Sequence, residues 1–385
     1  MDSDNTLLIT GATGQLGAFL LAELLGWGQS PAYSGTILCA KRPTSSFKQL
    51  ECVAEFYVQS PKAYFQPHIH FIDLDLDSGG DSADWLEAYC VQHQLPKVRS
   101  VIHSAAVIDI NQSAIGGNKN ERITAEMLHL AEALRVEHFT HISSVAVMGG
   151  NAPLGQLEVL EPKDFQPTKK KVGLGSYAKS KIYSELQVWR AQQEGLSTTV
   201  IRPGVILGIG PFHRAPQELW KRLWKGTLPF ATDGCSGVVD VRDVAAIVYA
   251  VHETKTEGPV IAVAEHPAFY ELLQWMQKGL GKTRKISLLR ATPWLNRMRA
   301  VSFLSKIPWV GKYFTAQMRI MLFSKTQYNG SSGDTFLKNG YRNIEDAANE
   351  LGKFMRKQAE LKNFKHWLIK SKILLRILMT MEQIV

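Results

Sequence analysis

A tyrosine and a lysine four residues apart open one of the predicted helices. The segment Ser176-Tyr177-Ala178-Lys179-Ser180-Lys181 begins a helical pattern that ends near Gln193. Tyr177 and Lys181 therefore share a helical face, whereas Lys179 points elsewhere. A free phenol titrates near pH ~10, and a neighbouring ammonium brings its pKa towards the working range of a proton donor or acceptor. The pair predicts proton transfer at Tyr177, with a chance spacing of two common residues as the alternative.

Two serines close a predicted strand upstream of this helix. Ser143 and Ser144 follow the apolar run that begins at Phe139 and precede Val145-Ala146-Val147-Met148-Gly149. A hydroxyl at the carboxyl end of a strand can bind a carbonyl oxygen and stabilise charge that develops there. The alternative is a serine that caps its own loop.

A glycine loop lies near the beginning of the sequence, between an apolar strand and a helix start. Glycines permit a tight turn and a close approach of the backbone, and the helix N-terminus offers unpaired N–H groups to phosphates. The spacing is GxxGxxG, and it favours a dinucleotide site over a turn without a ligand. The predicted contacts are Gly11, Thr13, Gly14, Gln15, Leu16 and Gly17.

The second predicted strand ends in two cations, Lys41 and Arg42. A site for NAD commonly places an acidic residue here to accept hydrogen bonds from the ribose hydroxyls. Two cations instead suit the 2′-phosphate of NADP. The pattern predicts NADP, with NAD as the second choice and a solvated basic loop as the alternative.

The elements around these residues alternate between strands and helices. Such alternation predicts parallel βαβ units with right-handed crossovers, and so an α/β Rossmann-type doubly wound parallel sheet. The predicted strands are Leu7–Thr10, Thr36–Ala40, His70–Leu74, Ser100–His103, Phe139–Ser143 and Thr198–Arg202. The predicted helices are Ala18–Trp27, Ser82–His93, Ile123–Val136 and Tyr177–Gln193, and Val238–Val251 is expected to return to the region of the core sheet.

The pattern loosens after Gly204, and the rest of the chain is mostly helical and basic. We expect an NADP-binding domain over residues 1–265, to which 209–236 contribute part of the substrate pocket. A smaller, mostly helical substrate-binding part is expected over residues 266–350. Residues 351–385 are expected to form a basic tail with apolar interleaving, in which the stretch Phe364–Met379 is too short and too charged to span a membrane. The tail predicts contact with an anionic membrane surface or a partner helix, and packing on the protein's own surface is the alternative.

Taken in order, these motifs resemble the extended short-chain dehydrogenases/reductases, the NAD-dependent epimerase/dehydratase group that includes dihydroflavonol-reductase-like and 3β-hydroxysteroid-dehydrogenase-like enzymes. The resemblance is close over residues 5–265 and looser to about 350. The motifs that carry it are Gly11 to Gly17, Val101-Ile102-His103-Ser104-Ala105-Ala106, Ser143-Ser144, Tyr177 to Lys181, Arg202-Pro203-Gly204 and Val241-Arg242-Asp243-Val244-Ala245.

The resemblance implies a role for each matching position. Tyr177 would be the general acid/base, Lys181 its partner and Ser144 the catalytic serine, and Asn120 is the best match to a supporting asparagine. The cofactor would also contact Asp75 and Leu76 beside the adenine, Ser104, Ala105, Ala106 and Ser143, and Tyr177, Lys181 and Pro203 near the nicotinamide. The segment after Arg202 lacks the asparagine and tyrosine that are usual in nucleotide-sugar epimerases, and it resembles the reductase branch.

Composition limits the remaining choices. The 385 residues carry a net charge of +9, which favours anionic partners without choosing among them. Four scattered cysteines and an acidic start that runs into a strand suit a reduced, cytoplasmic protein without a secretory signal. No metal site is expected from His68 and His70, and the Lys169-Lys170-Lys171 run comes without a nucleic-acid-binding motif.

The expected function is reduction of a ketone or aldehyde with NADPH, or the reverse oxidation of an alcohol. An epimerase or isomerase that retains its cofactor, and a non-catalytic NADP-binding protein, are the alternatives. The substrate is expected to be a small carbonyl or alcohol compound, hydrophobic or thioester-linked, and a homodimer is one expected assembly.

Overall fold

A computed structural model describes ten stretches of the chain. These are residues 5–76, 82–106, 119–149, 157–161, 164, 176–210, 222–228, 230–284, 286–290 and 323–361. The sequence motifs named above fall within them. Several predicted segments lie outside the described residues: the Lys169–Lys171 run, residues 211–221 and 229 of the 209–236 segment, residues 291–322 of the substrate-binding part, and residues 362–385 of the tail.

Seven parallel strands form the central sheet, in the spatial order β3-β2-β1-β4-β5-β7-β11. The order reverses between β1 and β4, and in open α/β sheets this switch point is where ligands bind. The strands are β1 Thr6–Thr10, β2 Thr36–Lys41, β3 Ile69–Asp73, β4 Val98–His103, β5 His138–Ile142, β7 Thr198–Pro203 and β11 Gly258–Ala262. The predicted Rossmann-type sheet is confirmed.

Helices cover both faces of this sheet. Their bounds are α1 Gln15–Leu24, α2 Lys48–Phe56, α3 Ser82–Gln92, α4 Lys119–Ala133, α5 Ser176–Gln193, α6 Val241–Thr254 and α7 Phe269–Gly279. Short 3₁₀ helices lie at Pro61–Tyr64 and Val145–Val147. One apolar core lies around α1, α2, α6 and α7, and a second lies around α3, α4 and α5. This burial on both sides explains why the strands are apolar runs rather than alternating patterns.

Helix α1 begins three residues earlier than the sequence pattern predicts, at Gln15 rather than Ala18. The glycine loop itself forms the first turn of the helix, so the apolar periodicity starts after the helix does. Helix α4 likewise begins at Lys119 rather than Ile123. Both shifts bring residues of the predicted site into helix N-termini.

The segment 238–251 returns to the region of the core sheet as expected, but most of it is a helix that packs on the sheet and not a strand within it. Val238–Asp240 is a short strand, β10, that pairs with β8 at Val205–Leu207 outside the main sheet. Residues Val241–Thr254 then form α6, which packs on α1. The seventh strand of the sheet comes afterwards at Gly258–Ala262, because α6 is the crossover that delivers it beside β7.

The C-terminal part consists of short strands and helices that pack on the core. Strand β13 Lys325–Tyr328 pairs with β6 Leu157–Leu160, and β12 Ser287–Leu289 pairs with β9 Phe230–Thr232. A short helix, α8 Ser331–Asp334, precedes helix α9 at 344–361. Ion pairs, each with its core partner buried, attach this part to the core.

These ion pairs use the charges at the start of α6. Arg242 bonds Asp240 at 2.7 Å and Glu350 of α9 at 2.7 Å, while Asp243, fully buried, pairs with Arg342. Helix α9 also buries side chains of residues 351–361 against the core, among them Met355. The first eleven residues of the predicted tail are therefore a packed helix. Among the described residues, no helix is long and apolar enough to cross a membrane.

Candidate active site

The glycine loop forms a tight turn between β1 and α1. Gly11 has a φ of +78°, and its carbonyl accepts a 2.8 Å hydrogen bond from the N–H of Gly14, which caps α1. A Cβ at Gly11 would lie 2.8 Å from the backbone N of Ala105, and one at Gly17 would lie 2.2 Å from the oxygen of Gly11. Glycine is required here because the loop after β4 and the first turn of α1 both press on the same backbone.

A cavity of about 430 Å³ opens above this turn. It lies at the switch point between β1 and β4, where the carboxyl ends of the strands face the N-terminus of α1. Ten of the residues predicted to bind the cofactor line it: Gly11, Thr13, Gly14, Lys41, Arg42, Asp75, Leu76, Ser104, Ala105 and Ala106.

The two cations at the end of β2 differ in their surroundings. Lys41 is mostly buried, pairs with Asp73 at the end of β3, and lies 5.9 Å from the centroid of the Phe47 ring. Arg42 is exposed, and no acidic partner for it lies within ion-pair distance in the described part of the chain. The charge of Lys41 is thus compensated by Asp73, whereas Arg42, which also lines the cavity, is exposed and has no such compensation within the described residues.

The cavity includes residues that the sequence interpretation missed. Thr44, Ser45 and Ser46 line it directly after Arg42, and Lys119 and Ile123 line it from α4. Ser45 donates its N–H to the carbonyl of Arg42 at 2.9 Å, so the segment turns back over the site. The run of three hydroxyl residues after a basic pair was a readable signal, because hydroxyls and turn N–H groups bind phosphate oxygens.

Tyr177 and Ser144 lie together at the carboxyl end of β5. The phenol of Tyr177 is hydrogen-bonded to the Ser144 side chain. Ser144 caps the 3₁₀ helix Val145–Val147, and its Oγ accepts a 3.2 Å hydrogen bond from the N–H of Ala146. The capping role proposed as the alternative is therefore real, and the same hydroxyl also reaches the tyrosine. Burial raises the pKa of Tyr177 above its ordinary value, whereas the sequence predicted a lowered pKa, and the hydrogen bond with Ser144 only partly opposes this shift.

Lys181 lies one helical turn further along α5, with only 4% of its surface exposed. Its Nζ donates a 2.8 Å hydrogen bond to the carbonyl of Ile142, the last residue of β5. Burial lowers the pKa of Lys181 to about 8, and the nearby carboxylate of Glu185 opposes this shift. The ammonium form is therefore still favoured at neutral pH.

Two buried histidines lie in the sheet close to this lysine. His103 at the end of β4 and His141 in β5 stack with ring centroids 5.6 Å apart. Burial lowers the pKa of His103 to about 3, and the pKa of His141 lies well below its ordinary value, with Lys181 adding to both shifts. Both rings are neutral, so they add no positive charge beside the ammonium.

Asn120 connects two helices near the same place. It is 6% exposed at the start of α4, and its Nδ2 donates a 3.0 Å hydrogen bond to Oγ of Ser180. Ser180 in turn donates to the backbone carbonyl of Tyr177 at 2.8 Å. Asn120 thus contacts the helix that carries the tyrosine and lysine.

The remaining predicted residues surround the cavity without lining it. Leu16 is buried in the core, Gly17 packs on Gly11, and Gln15 buries an amide Nε2 that has no partner among the described residues. Ser143 donates its N–H to Ile201 of β7 at 2.7 Å, and its buried Oγ likewise has no described partner. Pro203 ends β7 at the same edge of the sheet.

These features fit a dinucleotide. The Gly11 and Gly14 backbone lines the cavity, and Gln15 and Ser143 each hold a buried polar atom that has no partner among the described residues. The cavity residues would hold the adenosine and pyrophosphate, and Lys181 would bind the ribose beside the nicotinamide. Among the described residues, no cluster of three histidine, cysteine or acidic side chains could hold a metal ion.

Comparison with curated proteins and solved structures gives a consistent result. The chain is 25% identical over 289 residues to sterol demethylase protein B of Methylococcus capsulatus, covering 72% of this chain and 76% of that protein. It is 25% identical over 287 residues to the L-2-aminoadipate reductase of Saccharomyces cerevisiae, covering 68% of this chain. The chain spans 20% of the length of that reductase.

Two solved structures illustrate the likeness of fold. The crystal structure of gox2253 matches with a TM-score of 0.67 and 19% identity, over 92% of this chain and 98% of that one. The terminal R domain from the myxalamid PKS-NRPS pathway matches with a TM-score of 0.64 and 18% identity, over 92% and 91%.

A family model described as "male sterility protein", an NAD-binding family, matches residues 9–232. That range is more than half of the chain, and it contains the glycine turn, the strand-end serines and the Tyr177–Lys181 helix. The resemblance to extended short-chain dehydrogenases/reductases is confirmed. The protein belongs to the male sterility family of these enzymes and is an NAD(P)-dependent oxidoreductase that acts on CH–OH or C=O groups.

Proposed function

We propose that the protein is an NADPH-dependent reductase that converts an aldehyde or ketone to an alcohol, or catalyses the reverse oxidation. The observation that carries this proposal is the Tyr177–Ser144 hydrogen bond, with Lys181 buried one turn away, at the sheet edge that also holds the glycine cavity. This arrangement offers a proton donor, a carbonyl anchor and a fixed positive charge together.

The chain's own residues would handle the oxygen and its proton. A bound nicotinamide supplies the hydride in reduction. The hydroxyl of Ser144 donates to the substrate oxygen, and the phenol of Tyr177 transfers its proton to that oxygen as negative charge develops. The raised pKa of Tyr177 keeps the phenol protonated at neutral pH, as a donor must be. The ammonium of Lys181 stabilises the phenolate that remains.

The preference for NADP rests on the rim formed by Arg42 and the hydroxyl residues Thr44, Ser45 and Ser46. A 2′-phosphate would gain a charge-assisted hydrogen bond from the guanidinium and further bonds from the turn. No acidic residue among the cavity-lining residues at the end of β2 offers the ribose acceptor that favours NAD. This inference makes NADPH the working reductant.

The substrate class is proposed from the relatives. Those matched by sequence include aminoadipate reductases and a subunit of linear gramicidin synthase, and a structural neighbour is a terminal R domain of a PKS-NRPS pathway. We propose that the substrate of this chain is an acyl group carried as a thioester, or the aldehyde derived from it. Aldehydes and acyl-CoA thioesters of increasing chain length are therefore the first compounds to test for NADPH consumption.

The test of the proposed mechanism is Tyr177→Phe, with Tyr183→Phe as the matched control. Tyr183 lies on the same helix but is 47% exposed. Loss of the phenolic proton donor should lower kcat about 100-fold or more, with little change in NADPH affinity. Retention of more than about a tenth of the rate would remove Tyr177 from the acid role. Release of one NADP⁺ per turnover separates a reductase from an epimerase that retains its cofactor.

We also propose that the basic segment Phe364–Met379 touches an anionic membrane surface, a proposal that rests on sequence alone. Liposome flotation of the full chain against a chain ending at Glu360 tests it, with anionic lipid at low salt. Equal partitioning of the two would reject membrane contact. A drop in melting temperature on truncation would instead favour a tail packed on the protein.

A further inference from the structure

A buried ion pair joins the helix of the proposed catalytic residues to the neighbouring strand. Glu185 on α5 and Arg202 on β7 are 0% and 1% exposed. Nε of Arg202 donates to one carboxylate oxygen at 3.0 Å, and its terminal NH₂ donates to the other at 2.7 Å. Such a bidentate pair fixes both distance and orientation between the two elements.

The pair sits between two parts of the proposed active site. Glu185 follows Lys181 by four residues and Tyr177 by eight, so all three lie on one face of α5. Arg202 directly precedes Pro203, where β7 ends at the edge of the site. A shift of α5 along β7 would therefore move the proton donor relative to the cofactor, and the ion pair resists that shift.

The charge of Glu185 also acts on Lys181. The groups that face the lysine from the sheet, His103 and His141, are neutral, and Tyr177 on its own helix is protonated at neutral pH. Among the described residues, Glu185 is the electrostatic partner that favours the ammonium over the neutral amine. A buried lysine without such a partner loses its proton more readily.

We propose that Glu185, held by Arg202, is a positioning residue of the active site: the ion pair fixes α5 on β7, and the carboxylate keeps Lys181 charged in a buried place. The pair does not touch substrate and acts through Lys181. Stability alone explains its presence poorly, because an apolar pair of similar volume often stabilises a core equally well. This inference rests on the proposed function, since it assigns Lys181 to the cofactor ribose.

The test measures NADPH affinity by fluorescence titration, and kcat where a substrate is known, between pH 6 and pH 10. In Glu185→Gln, the pH at which NADPH affinity and kcat fall on the alkaline side should move down by about one unit or more, because Lys181 loses its anionic partner. The matched control is Glu194→Gln, which removes a carboxylate from an exposed pair with Arg190 at the C-terminal end of α5. Its alkaline midpoint should stay at the wild-type value.

A second variant distinguishes a role of the ion pair in the active site from a role in folding alone. Glu185→Leu combined with Arg202→Met removes both charges and keeps an apolar volume, so the protein should fold even where Glu185→Gln does not. We expect its melting temperature to approach the wild-type value while its alkaline midpoint stays lowered. A wild-type midpoint in this double variant, or in a folded Glu185→Gln, would overturn the proposal. An absence of wild-type turnover would defeat the proposed reduction instead, and the NADPH affinity profile would still decide the role of Glu185.

Discussion

The contrast between Arg42 and Lys41 predicts that the two cations contribute unequally to NADP binding. The ammonium of Lys41 is mostly buried and paired with Asp73, whereas the exposed guanidinium of Arg42 has no ion-pair partner among the described residues. Three variants at this rim of the cavity test the difference. Arg42→Ala removes an unpaired charge, Lys41→Ala removes a paired charge, and Asp73→Asn removes the partner of that paired charge.

The expected magnitudes follow from these states. If Arg42 binds the 2′-phosphate as proposed, Arg42→Ala removes a charge-assisted hydrogen bond, about 1.5–3 kcal/mol, or roughly 10- to 150-fold in the Kd for NADPH. Lys41→Ala removes a charge that Asp73 already offsets, so the loss should stay below about 1 kcal/mol, roughly fivefold. Asp73→Asn releases Lys41 and removes a repelling carboxylate, and NADPH binding should tighten by a factor of about three.

NADPH fluorescence titrations at fixed ionic strength measure these constants, and NADH titrations of the same variants provide the control. Because NADH lacks the 2′-phosphate, its Kd should change less than about twofold throughout. Equal wild-type affinity for NADPH and NADH would refute the assignment of the rim to a phosphate. A larger loss for Lys41→Ala than for Arg42→Ala would refute the reasoning from the Lys41–Asp73 pair.

Two further predictions concern the fold. Gly17→Ala places a Cβ 2.2 Å from the oxygen of Gly11. It should therefore destabilise the protein by about 1–3 kcal/mol and weaken NADPH binding, although alanine is intrinsically preferred in a helix. An unchanged urea midpoint of unfolding would contradict the packing argument. The buried histidines His138 and His252 each have a pKa lowered to about 4 in the folded protein. In the unfolded chain the histidine pKa is about 6.5, so the neutral rings contribute their full stability above pH ~6.5 and lose it as the pH falls towards 4. Unfolding by urea at pH 7.5 and pH 5 should differ by about 2 kcal/mol for each of these histidines, and His252→Asn should reduce the difference.

The sequence by itself determined the fold class, and it supplied the prediction of which residues carry the chemistry. Apolar runs separated by amphipathic helices allow little besides a parallel sheet covered on both faces, and glycines at positions 11, 14 and 17 fit a strand–turn–helix at a phosphate. Tyr177 and Lys181 could be paired because helical spacing alone places i and i+4 on one face. These inferences depend on local periodicity, which the chain carries wherever it folds.

Only the tertiary structure decided which partners these residues have. The pairing of Lys41 with Asp73 joins the ends of two strands 32 residues apart in the sequence, and it separates the role of Lys41 from that of Arg42. Arg202 and Glu185 face each other from a strand and a helix, so no spacing rule links them. Lys181 is buried above neutral His103 and His141 because β4 and β5 are neighbours in the sheet. Charge compensation and desolvation depend on which elements pack together in space, and the linear sequence does not record that arrangement.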